Sequence, residues 1–484
     1  MVKGVMCSLV EIERFLNEKG AGEDVLKAMC HLKDVVHDYQ MKNFGSQVVP
    51  VQSIKPYSKA SDIPAKLPFK AFMEALLCAC KPSEAGIRDD EEVQGTTMPF
   101  GDLKHQDGVD AQQSSWAKKG WTIGDSQRNE VIDYGSDEQF QCRLKQVGRN
   151  WNLDIVALSN FKMCVQNGPI VTFGNALLAP IGERIHPDFN KESQPILNMI
   201  QDVYLPNPYH NALHGACVAH MAVVIMRALR LSEYMTPVEE FAYIIASLGH
   251  DAGHPGKTNA FLRSTQNPLA LIYNDTSILE NYHASLICHI LRSQESFFGF
   301  FSQQEWENVR KRVIQLVLAT DMMSHFTHVN NVKERRTNGS LDYKNNIEDL
   351  WLIMVLCIKA ADIGHNFLPW CDHIPWTRAL FEEFHIQGDE ERLLSMPLLL
   401  FFDRTRSADI PDSQLGFFQG FTMPLVEELI SVCPNGEYIS RYVIKNAYDN
   451  LENWKKHSKR TLDEIAHDLE ESKEIIEVED ALAD

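Results

Sequence analysis

The sequence predicts an all-α protein, and three observations point to this fold class. Apolar residues recur at helical spacing along most of the chain from about Cys142. Alternating β-branched stretches bounded by hairpin turns, which would indicate strands, are scarce. The chain has 484 residues, of which 44% are hydrophobic and 23% charged, so it can bury a large core. We therefore expect a compact domain of many helices.

Eight segments carry the clearest helical pattern. They are Asn211 to Arg230, Val238 to Gly249, Ile278 to Arg292, Glu305 to Ala319, Asn346 to Ala361, Trp376 to Gln387, Gln414 to Val432 and Tyr438 to His457. Near the start, Ser8 and Glu11 have the spacing of a capping box and predict two further short helices within residues 8–44. No internal repeat of fixed period is apparent in the sequence.

Changes in composition divide the chain into four parts. We expect an N-terminal helical extension at residues 1–82 and a flexible acidic linker, rich in Gly, Ser, Gln and Asp, at residues 83–140. Residues 141–460 would form the main helical domain, and residues 461–484 an acidic C-terminal tail. The helical extension is of a kind that could support a homodimer.

Charge and cysteine usage restrict the partners and the location. The formal net charge of -20 argues against nucleic acid as a partner, because general polyanion binders are basic. The eleven cysteines contain no CxxC pair, and no secretory signal is recognisable, which predicts a reduced, cytoplasmic protein. The longest apolar runs are shorter than the roughly 20 residues of a membrane span. Lipidation at Cys78 or Cys80 would allow peripheral membrane association, although idle cysteines are the simpler interpretation.

Histidines are concentrated in one part of the chain, because twelve of the eighteen lie between positions 210 and 385. They fall in motifs that also contain carboxylates. The motif residues are His210 and His214 in YHNALH, His250, Asp251 and His254 in HDAGHPGKTN, Glu280 in NDTSILENYH, Thr320 and Asp321 in LATDM, and Asp362 and His365 in LCIKAADIGHN. Spacing of four residues places the first two histidines on one face of a helix.

This mixture of imidazole and carboxylate suits a divalent ion such as Zn²⁺, Mn²⁺ or Mg²⁺. Taken alone, a His pair at i and i+4 is commonly a surface feature, and an Asp at a helix end is commonly a cap. The combination of His214, the pair His250 and Asp251 after an apolar helix, and Asp362 after another apolar helix is far more restrictive. It predicts a metal-dependent hydrolase with coordination positions open to water.

The order of YHNALH, HDAGHPGKTN, NDTSILENYH, LATDM, KAADIGH and SQLGFF resembles that of the class I 3′,5′-cyclic nucleotide phosphodiesterases, within the HD phosphohydrolase group. The resemblance covers about residues 142–460, and its most specific part is HDxxHPGxxN. It implies an all-α catalytic domain at residues 141–460 that hydrolyses cyclic nucleotides to 5′-nucleotides and so ends cyclic nucleotide signals.

The resemblance also implies a role for each motif residue. The ligands of a tightly held ion, usually zinc, would be His214, His250, Asp251 and Asp362. A second ion, Mg²⁺ or Mn²⁺, would share Asp251, and its waters would be bound by His254, Glu280 and Thr320. His210 would be the general acid. The residues assigned to the nucleotide pocket are Gln414, which would bind the purine edge, Phe417 and Ile363, which would clamp the ring, and Tyr209, His365 and Trp376.

Elementary chemistry agrees with these roles. A phosphodiester anion repels hydroxide, so hydrolysis needs nearby cations and a water acidic enough to ionise near neutral pH. We expect a metal-bridging hydroxide to attack phosphorus in line with the leaving 3′-oxygen. His210, on the same helical face as the ligand His214, would protonate that oxygen.

The choice of substrate and of activity leaves alternatives. A Gln414 amide can present a donor or an acceptor, so it does not distinguish adenine from guanine. By the resemblance, His365 stands where strongly cAMP-selective members often have Asn and some dual-specificity members have His, and His373 replaces a frequent aromatic residue near the base pocket. The hypothesis favours cAMP and leaves cGMP open. Trp376 could equally lie on an ordinary amphipathic helix face. Another HD-type phosphohydrolase, acting on a different nucleotide or a phosphomonoester, is the main alternative, and a non-catalytic scaffold with a relic metal site is the other.

Overall fold

The computed structural model describes residues 137–432 and 438–471. These residues are helical and contain no β-strand, which confirms the predicted all-α fold. The predictions for residues 1–82 and for most of the linker, as well as Cys78 and Cys80, lie outside the described residues. The described chain divides into two compact units, a large one of residues 137–261, 277–432 and 438–471, and a small one of residues 262–276.

The helices follow one another along the chain with short connections. They are α1 (Asp137–Leu144), α2 (Ile155–Ser159), α3 (Lys162–Asn167), α4 (Pro169–Ile185), α5 (Phe189–Val203), α6 (Ala212–Ala228), α7 (Pro237–Gly249), α8 (Asn259–Ser264), α9 (Pro268–Ile272), α10 (Ile278–Ser293), α11 (Glu295–Phe298), α12 (Gln303–Ala319), α13 (His325–Thr337), α14 (Ile347–Asp362), α15 (Trp370–Leu393), α16 (Ile410–Phe417), α17 (Met423–Ser431) and α18 (Lys445–Lys456). Short 3₁₀ turns occur at Leu231–Tyr234, Met322–Ser324, Gly364–Phe367, Leu400–Phe402 and Arg404–Asp409, and π-helical turns at Phe418–Thr422 and Ile439–Ile444.

Three helices, α6, α7 and α14, form the centre of the large unit. Each is apolar on almost every side, as expected for a helix surrounded by other helices, and α6 packs against both α7 and α14. Their starts are fixed by local sequence. Thr236 and Glu239 form a capping box at α7, and the Asn211 and Asn346 side chains cap α6 and α14 by accepting backbone N–H groups.

Helix α15 begins earlier than the sequence pattern predicted. The pattern placed its start at Trp376, because Pro375 normally marks a boundary, but the helix runs from Trp370 with Pro375 inside it. Burial of Ile374 and Trp376 on either side of the proline compensates for the one helical hydrogen bond that Pro375 cannot donate. Helices α4 and α5, which contain Pro180 and Pro195, were absent from the eight predicted segments.

The described helices extend beyond both ends of the predicted main domain, residues 141–460. The first described helix, α1, starts at Asp137. Residues 462–471 are helical, and Leu462 and Ile465 are buried beside Trp454 and Phe418 in one hydrophobic cluster. The beginning of the predicted acidic tail therefore packs as part of the helical unit. Among the described residues, every helix is too short or too polar to cross a membrane.

Candidate active site

The ends of the three central helices carry the polar residues that the motifs predicted. His214 lies in the first turn of α6, His250 caps the end of α7 and is followed by Asp251, and Asp362 is the last residue of α14. Because the three helices pack together, their termini meet. His214 and His250 are buried, and Asp362 is nearly so.

These four side chains form a tight cluster. Nε2 of His214 lies 3.3 Å from Oδ2 of Asp251 and 3.4 Å from Oδ1 of Asp362. Nε2 of His250 lies 3.1 Å from both carboxylates. One nitrogen or oxygen atom from each of the four residues lies within 4.8 Å of all the others, which is the spacing of ligands around one ion.

The donor set fits a divalent metal ion. Nε2 of His214 is buried without a hydrogen-bond partner although it faces two carboxylates, so this nitrogen is available as a ligand. Nδ1 of His250 lies 3.0 Å from the carbonyl oxygen of Ser247, which fixes the ring with Nε2 directed at Asp251 and Asp362. A backbone carbonyl on the far nitrogen is the usual way in which proteins orient a metal-binding imidazole.

Charge is concentrated at this cluster. Burial alone would raise the pKa of Asp251 and of Asp362, but His250 and the hydrogen bonds from the histidines outweigh burial and lower both pKa values. The same two carboxylates raise the pKa of His250 against the opposing effect of its burial. Both aspartates are therefore ionised at neutral pH and can bind a cation.

Beside the cluster, His210 is held by a carboxylate from α15. Nδ1 of His210 lies 2.5 Å from Oε1 of Glu383, and Oε2 of Glu383 accepts the backbone N–H groups of Tyr209 and His210 at 3.0 Å each. Burial of His210 opposes protonation, but Glu383 outweighs it and raises the pKa of His210 to about 9. His210 is therefore an imidazolium at neutral pH, with Nε2–H free of Glu383.

The HPG loop, residues 254–256 after α7, lies beside His210. The rings of His210 and His254 stack at 4.0 Å, and the amide of Asn207 donates to the carbonyl oxygens of both residues. Nδ1 of His254 accepts the N–H of Gly256 at 3.0 Å, so the ring proton of neutral His254 is on Nε2. Burial and the nearby His210 lower the pKa of His254 to about 3, which keeps this ring neutral.

A second group of oxygen atoms lies near the metal cluster. The Asn259 amide donates to the Glu280 carboxylate, with Nδ2 3.2 Å from Oε1 and 2.9 Å from Oε2, and burial raises the pKa of Glu280 to about 7. The Thr320 hydroxyl donates to the carbonyl oxygen of Val317, which leaves its lone pairs for another donor. Lys359 is buried and donates to the carbonyl oxygens of Ala319, at 2.7 Å, and Asp321, so it supports the loop that carries Thr320.

The comparisons with known proteins bear directly on this arrangement. Residues 209–443 match the family model described as 3′5′-cyclic nucleotide phosphodiesterase, a span that contains the metal cluster and the pair of His210 and Glu383. Residues 209–443 belong to this family.

The chain is similar to family members from distant organisms. It is 33% identical over 311 residues (64% of this chain) to the cGMP-specific 3′,5′-cyclic phosphodiesterase alpha of Plasmodium falciparum, and 35% identical over 259 residues (53%) to the dual 3′,5′-cyclic-AMP and -GMP phosphodiesterase beta of the same organism. It is 30% identical over 292 residues (56%) to the human high affinity cAMP-specific and IBMX-insensitive 3′,5′-cyclic phosphodiesterase 8A. The matches cover 32%, 23% and 35% of the length of these three relatives.

The residues assigned to the nucleotide pocket fall into two groups in this phosphodiesterase domain. The Tyr209 ring adjoins the cluster, with its centre 4.6 Å from that of His214, and it also contacts Trp376 and His365 at 5.8 and 5.7 Å. The second group comprises Ile363, which directly follows Asp362, and Gln414 and Phe417 on α16. The Gln414 amide makes no hydrogen bond to another described residue, and the Phe417 ring stacks on Phe421 at 5.2 Å.

Two residues of the candidate site were not among the sequence predictions. Glu383 binds His210, and its only signal in the sequence is its helical spacing from His373 and Trp376, which puts all three on one face. His283, in the motif NDTSILENYH, has Nδ1 at 2.7 Å from the carbonyl oxygen of Ala252 and its buried Nε2 at 3.7 Å from Asp251. Its signal is its place three residues after Glu280, on the same helical face.

Proposed function

We propose that this chain hydrolyses 3′,5′-cyclic nucleotides to 5′-nucleotides and so ends cyclic nucleotide signals. The observation that carries the proposal is the contact of the His210 imidazole with the Glu383 carboxylate, beside a cluster of two histidines and two aspartates. The first part can release a proton to a leaving group, and the second can hold cations next to a phosphoryl group. Membership of the phosphodiesterase family supports the same reaction.

The cluster would hold two divalent ions, which we propose to be Zn²⁺ at the tight site and Mg²⁺ or Mn²⁺ at the second. The tight ligands would be His214, His250, Asp251 and Asp362, and two histidines with two carboxylates are a suitable set for zinc. Bound there, the ions would supply a hydroxide nucleophile near neutral pH and would offset the charge of the phosphoryl oxygens.

The second ion would be held mainly through water. His254, Glu280 and Thr320 are proposed to position those water molecules. The oxygen atoms of Glu280 and Thr320 are hard acceptors, which suits the hydration shell of Mg²⁺ or Mn²⁺.

His210 would act as the general acid. Nδ1 is engaged by Glu383, so the proton that can leave is on Nε2, and the His210 ring centre lies 5.6 Å from that of the proposed ligand His214. The leaving 3′-oxygen of a substrate whose phosphate binds at the cluster would therefore be within reach of this proton. Donation to the 3′-oxygen makes it a better leaving group, and Glu383 stabilises the imidazolium before the transfer.

The nucleotide base would bind between the Phe417 ring and Ile363, with its edge at Gln414 and with Tyr209, His365 and Trp376 around it. Phe417 and Ile363 are both half-buried, which leaves apolar surface for a purine ring to cover. Relatives of this chain are named for cGMP, for cAMP and for both. The proposed preferred substrate is cAMP, and cGMP is the alternative.

The test is an assay of the purified full chain with cAMP and cGMP, with and without a chelator. We expect turnover that the chelator abolishes, and a His210→Ala variant that retains metal but is slower by about 10² to 10⁴-fold. If neither cyclic nucleotide is opened while a phosphomonoester is hydrolysed, the proposal fails and the alternative HD-type phosphohydrolase takes its place. Undiminished activity of His210→Ala would remove that residue as the acid.

The domain limits, a cytoplasmic location and a homodimer formed through residues 1–82 also stay proposals. The scattered cysteines without a CxxC pair support the location, and the helical pattern of the extension supports the dimer. Light scattering of the full chain tests the dimer, which predicts twice the mass of one chain.

A further inference from the structure

His365 is separated from the metal cluster by one aromatic ring. The centre of the Tyr209 ring lies 4.6 Å from that of His214 and 5.7 Å from that of His365. In the proposed function, the base of a nucleotide whose phosphate binds at the cluster lies in the neighbourhood of His365. Which ring nitrogen of His365 carries the proton decides whether this residue donates or accepts a hydrogen bond there.

The proton positions can be read from a chain of hydrogen bonds that begins at Trp454. Nε1 of Trp454 donates to Nε2 of His373 over 3.1 Å. An indole N–H can only donate, so Nε2 of His373 must be the unprotonated nitrogen and Nδ1 must carry the hydrogen. Nδ1 of His373 also lies 3.0 Å from the carbonyl oxygen of His365, which can only accept. Both contacts require the same tautomer of His373.

The next contact fixes His365. Nδ1 of His373 lies 3.0 Å from Nδ1 of His365. Hydrogens on both nitrogens would oppose each other at this distance, so Nδ1 of His365 is unprotonated and its ring proton is on Nε2. Among the described residues, Nε2 of His365 has no hydrogen-bond partner.

These two tautomers exist only if both rings are neutral, and the surroundings of the rings keep them neutral. His373 is completely buried and His365 is 7% exposed. Burial lowers the pKa of His373 to about 3, and burial together with His373 and His214 lowers the pKa of His365 well below its ordinary value. A second proton on His373 would also point at the donor Trp454.

We propose that His373, held in one tautomer by Trp454 and by the carbonyl oxygen of His365, fixes His365 in the tautomer whose Nε2–H is presented to the nucleotide base. The base must then offer an acceptor to His365, which N7 of either purine and the 6-oxygen of guanine can do, whereas the 6-amino group of adenine cannot. His365 is thereby a specificity-determining residue, and His373 is a positioning residue. The proposal rests on the proposed function for the identity of the ligand, whereas the tautomers are a property of the free protein.

Nitrogen NMR of the full chain labelled with ¹⁵N-histidine tests the tautomers directly. His365→Phe and His373→Phe variants assign the two signals. We expect the proton on Nδ1 of His373 and on Nε2 of His365 in the wild type, and a mixture of tautomers at His365 in His373→Phe. A His365 proton found on Nδ1 in the wild type, or an unchanged His365 tautomer in His373→Phe, would overturn the proposal.

Trp370→Phe is the matched control. Trp370 belongs to the same aromatic cluster, with its ring 4.7 Å from Trp454 and 5.7 Å from His373, but it donates no hydrogen bond to His373. We expect its tautomers to match the wild type. If His373→Phe does not fold, His373→Leu serves in its place, because it also removes the hydrogen directed at Nδ1 of His365 and should release the His365 tautomer.

Kinetics then test whether this donor faces the base. Once His365 can accept, it can pair with the adenine amino group, so the ratio of kcat/KM for cAMP to that for cGMP should rise about 2- to 10-fold in His373→Phe and stay constant in Trp370→Phe. Changed tautomers with an unchanged ratio would show that Nε2–H does not face the base and would overturn this assignment. A wild type inactive on both nucleotides would instead refute the proposed function, and the NMR result would stand separately.

Discussion

Glu383 holds His210 through both of its carboxylate oxygens: Oε1 lies 2.5 Å from Nδ1 of the imidazole, and Oε2 accepts the backbone N–H of the same residue at 3.0 Å. One carboxylate thus fixes the position of the ring as well as its charge. Burial of Glu383 opposes its ionisation, but His210 outweighs burial and lowers the pKa of Glu383 to about 2. The pair therefore stays ionised across the neutral range.

Replacing Glu383 by Gln should move the alkaline limb of the activity profile. In the wild type, activity should fall as pH rises through about 9, where His210 loses the proton that an acid must supply. Without the negative charge, burial dominates and the pKa of His210 drops, so the fall should begin at lower pH. We expect kcat/KM at pH 8 to decrease by about 10- to 100-fold. The measurement is kcat/KM against pH for both proteins.

Glu391→Gln is the control for that comparison, because Glu391 is a buried carboxylate on the same helix that binds the Gln387 amide and has no contact with His210. Its alkaline limb should coincide with that of the wild type. Equal limbs in Glu383→Gln and the wild type would contradict the role given to Glu383.

Removal of metal should lower thermal stability. The cluster brings the ionised Asp251 and Asp362 together, and bound cations would offset their charges. With metal at 100 to 1,000 times Kd, binding stabilises the folded state by about 3 to 4 kcal/mol, so chelation should lower Tm by several degrees. Scanning calorimetry with EDTA, followed by addition of Zn²⁺ and Mg²⁺, measures the effect.

Asp251→Asn should lose metal, nearly all turnover and the response of Tm to EDTA, whereas substitution of the exposed Asp202 by Asn should leave all three unchanged. A Tm of wild-type protein that is insensitive to EDTA, in protein shown by elemental analysis to lose its metal, would contradict the prediction.

Lys359 should make the metal-free protein more stable as the pH is raised. Burial lowers its pKa in the folded state from 10.5 to about 8, so between these values the unfolded chain binds more protons than the folded one. The free energy of unfolding therefore rises with pH across this window, by about 3 kcal/mol from this group. Chemical denaturation of EDTA-treated wild type and Lys359→Met at pH 7.5 and pH 10 should show the rise only in the wild type.

Lys311→Met removes an exposed lysine and provides the baseline, since its pH dependence should follow that of the wild type. The same rise in Lys359→Met as in the wild type would assign the effect to other groups.

Gly256→Ala should damage both stability and activity. Gly256 has φ +68°, which disfavours other residues, and an added Cβ would lie 2.9 Å from Oδ1 of Asn207, whose amide bridges His210 and His254. We expect a loss of at least about 1 kcal/mol in the free energy of unfolding, with a decrease in kcat. Denaturation curves and steady-state kinetics measure the two effects.

Gly339→Ala separates strain from contact. Gly339 has φ +74° but open space around the added Cβ, so this variant should lose only the backbone contribution and keep full activity. Wild-type kcat in Gly256→Ala would contradict the importance of the Asn207 bridge.

Much of the fold could be predicted from the sequence because the helices near the core have strong apolar periodicity. The pattern placed α6, α7, α10 and α14 within a few residues of their observed limits. It failed where prolines suggested breaks, as at the start of α15, because burial against neighbouring helices decides whether a helix continues through a proline. The π-helical turn Phe418–Thr422 has no local signal, since the packing of its neighbours determines it.

The candidate site was predictable where its residues stand in short motifs at helix ends. Glu383 was not, because its partner His210 is 173 positions away and a glutamate in a helix ordinarily faces solvent. The hydrogen bonds that connect Trp454 through His373 to His365 could not be predicted for the same reason, since Trp454 lies 81 positions beyond His373. Contacts of this kind are made by the tertiary fold and leave no local pattern.

Helix α15 carries both His373 and Glu383, ten residues apart, which corresponds to about 15 Å along one rigid rod. His373, which sets the hydrogen bonding of His365, and Glu383, which keeps His210 protonated, therefore move together with this helix. A slide of this helix by even one residue's rise of about 1.5 Å would disturb base recognition and proton donation together. An inhibitor that binds to α15 outside the pocket and displaces it would therefore change both substrate affinity and turnover, without competing for the metals.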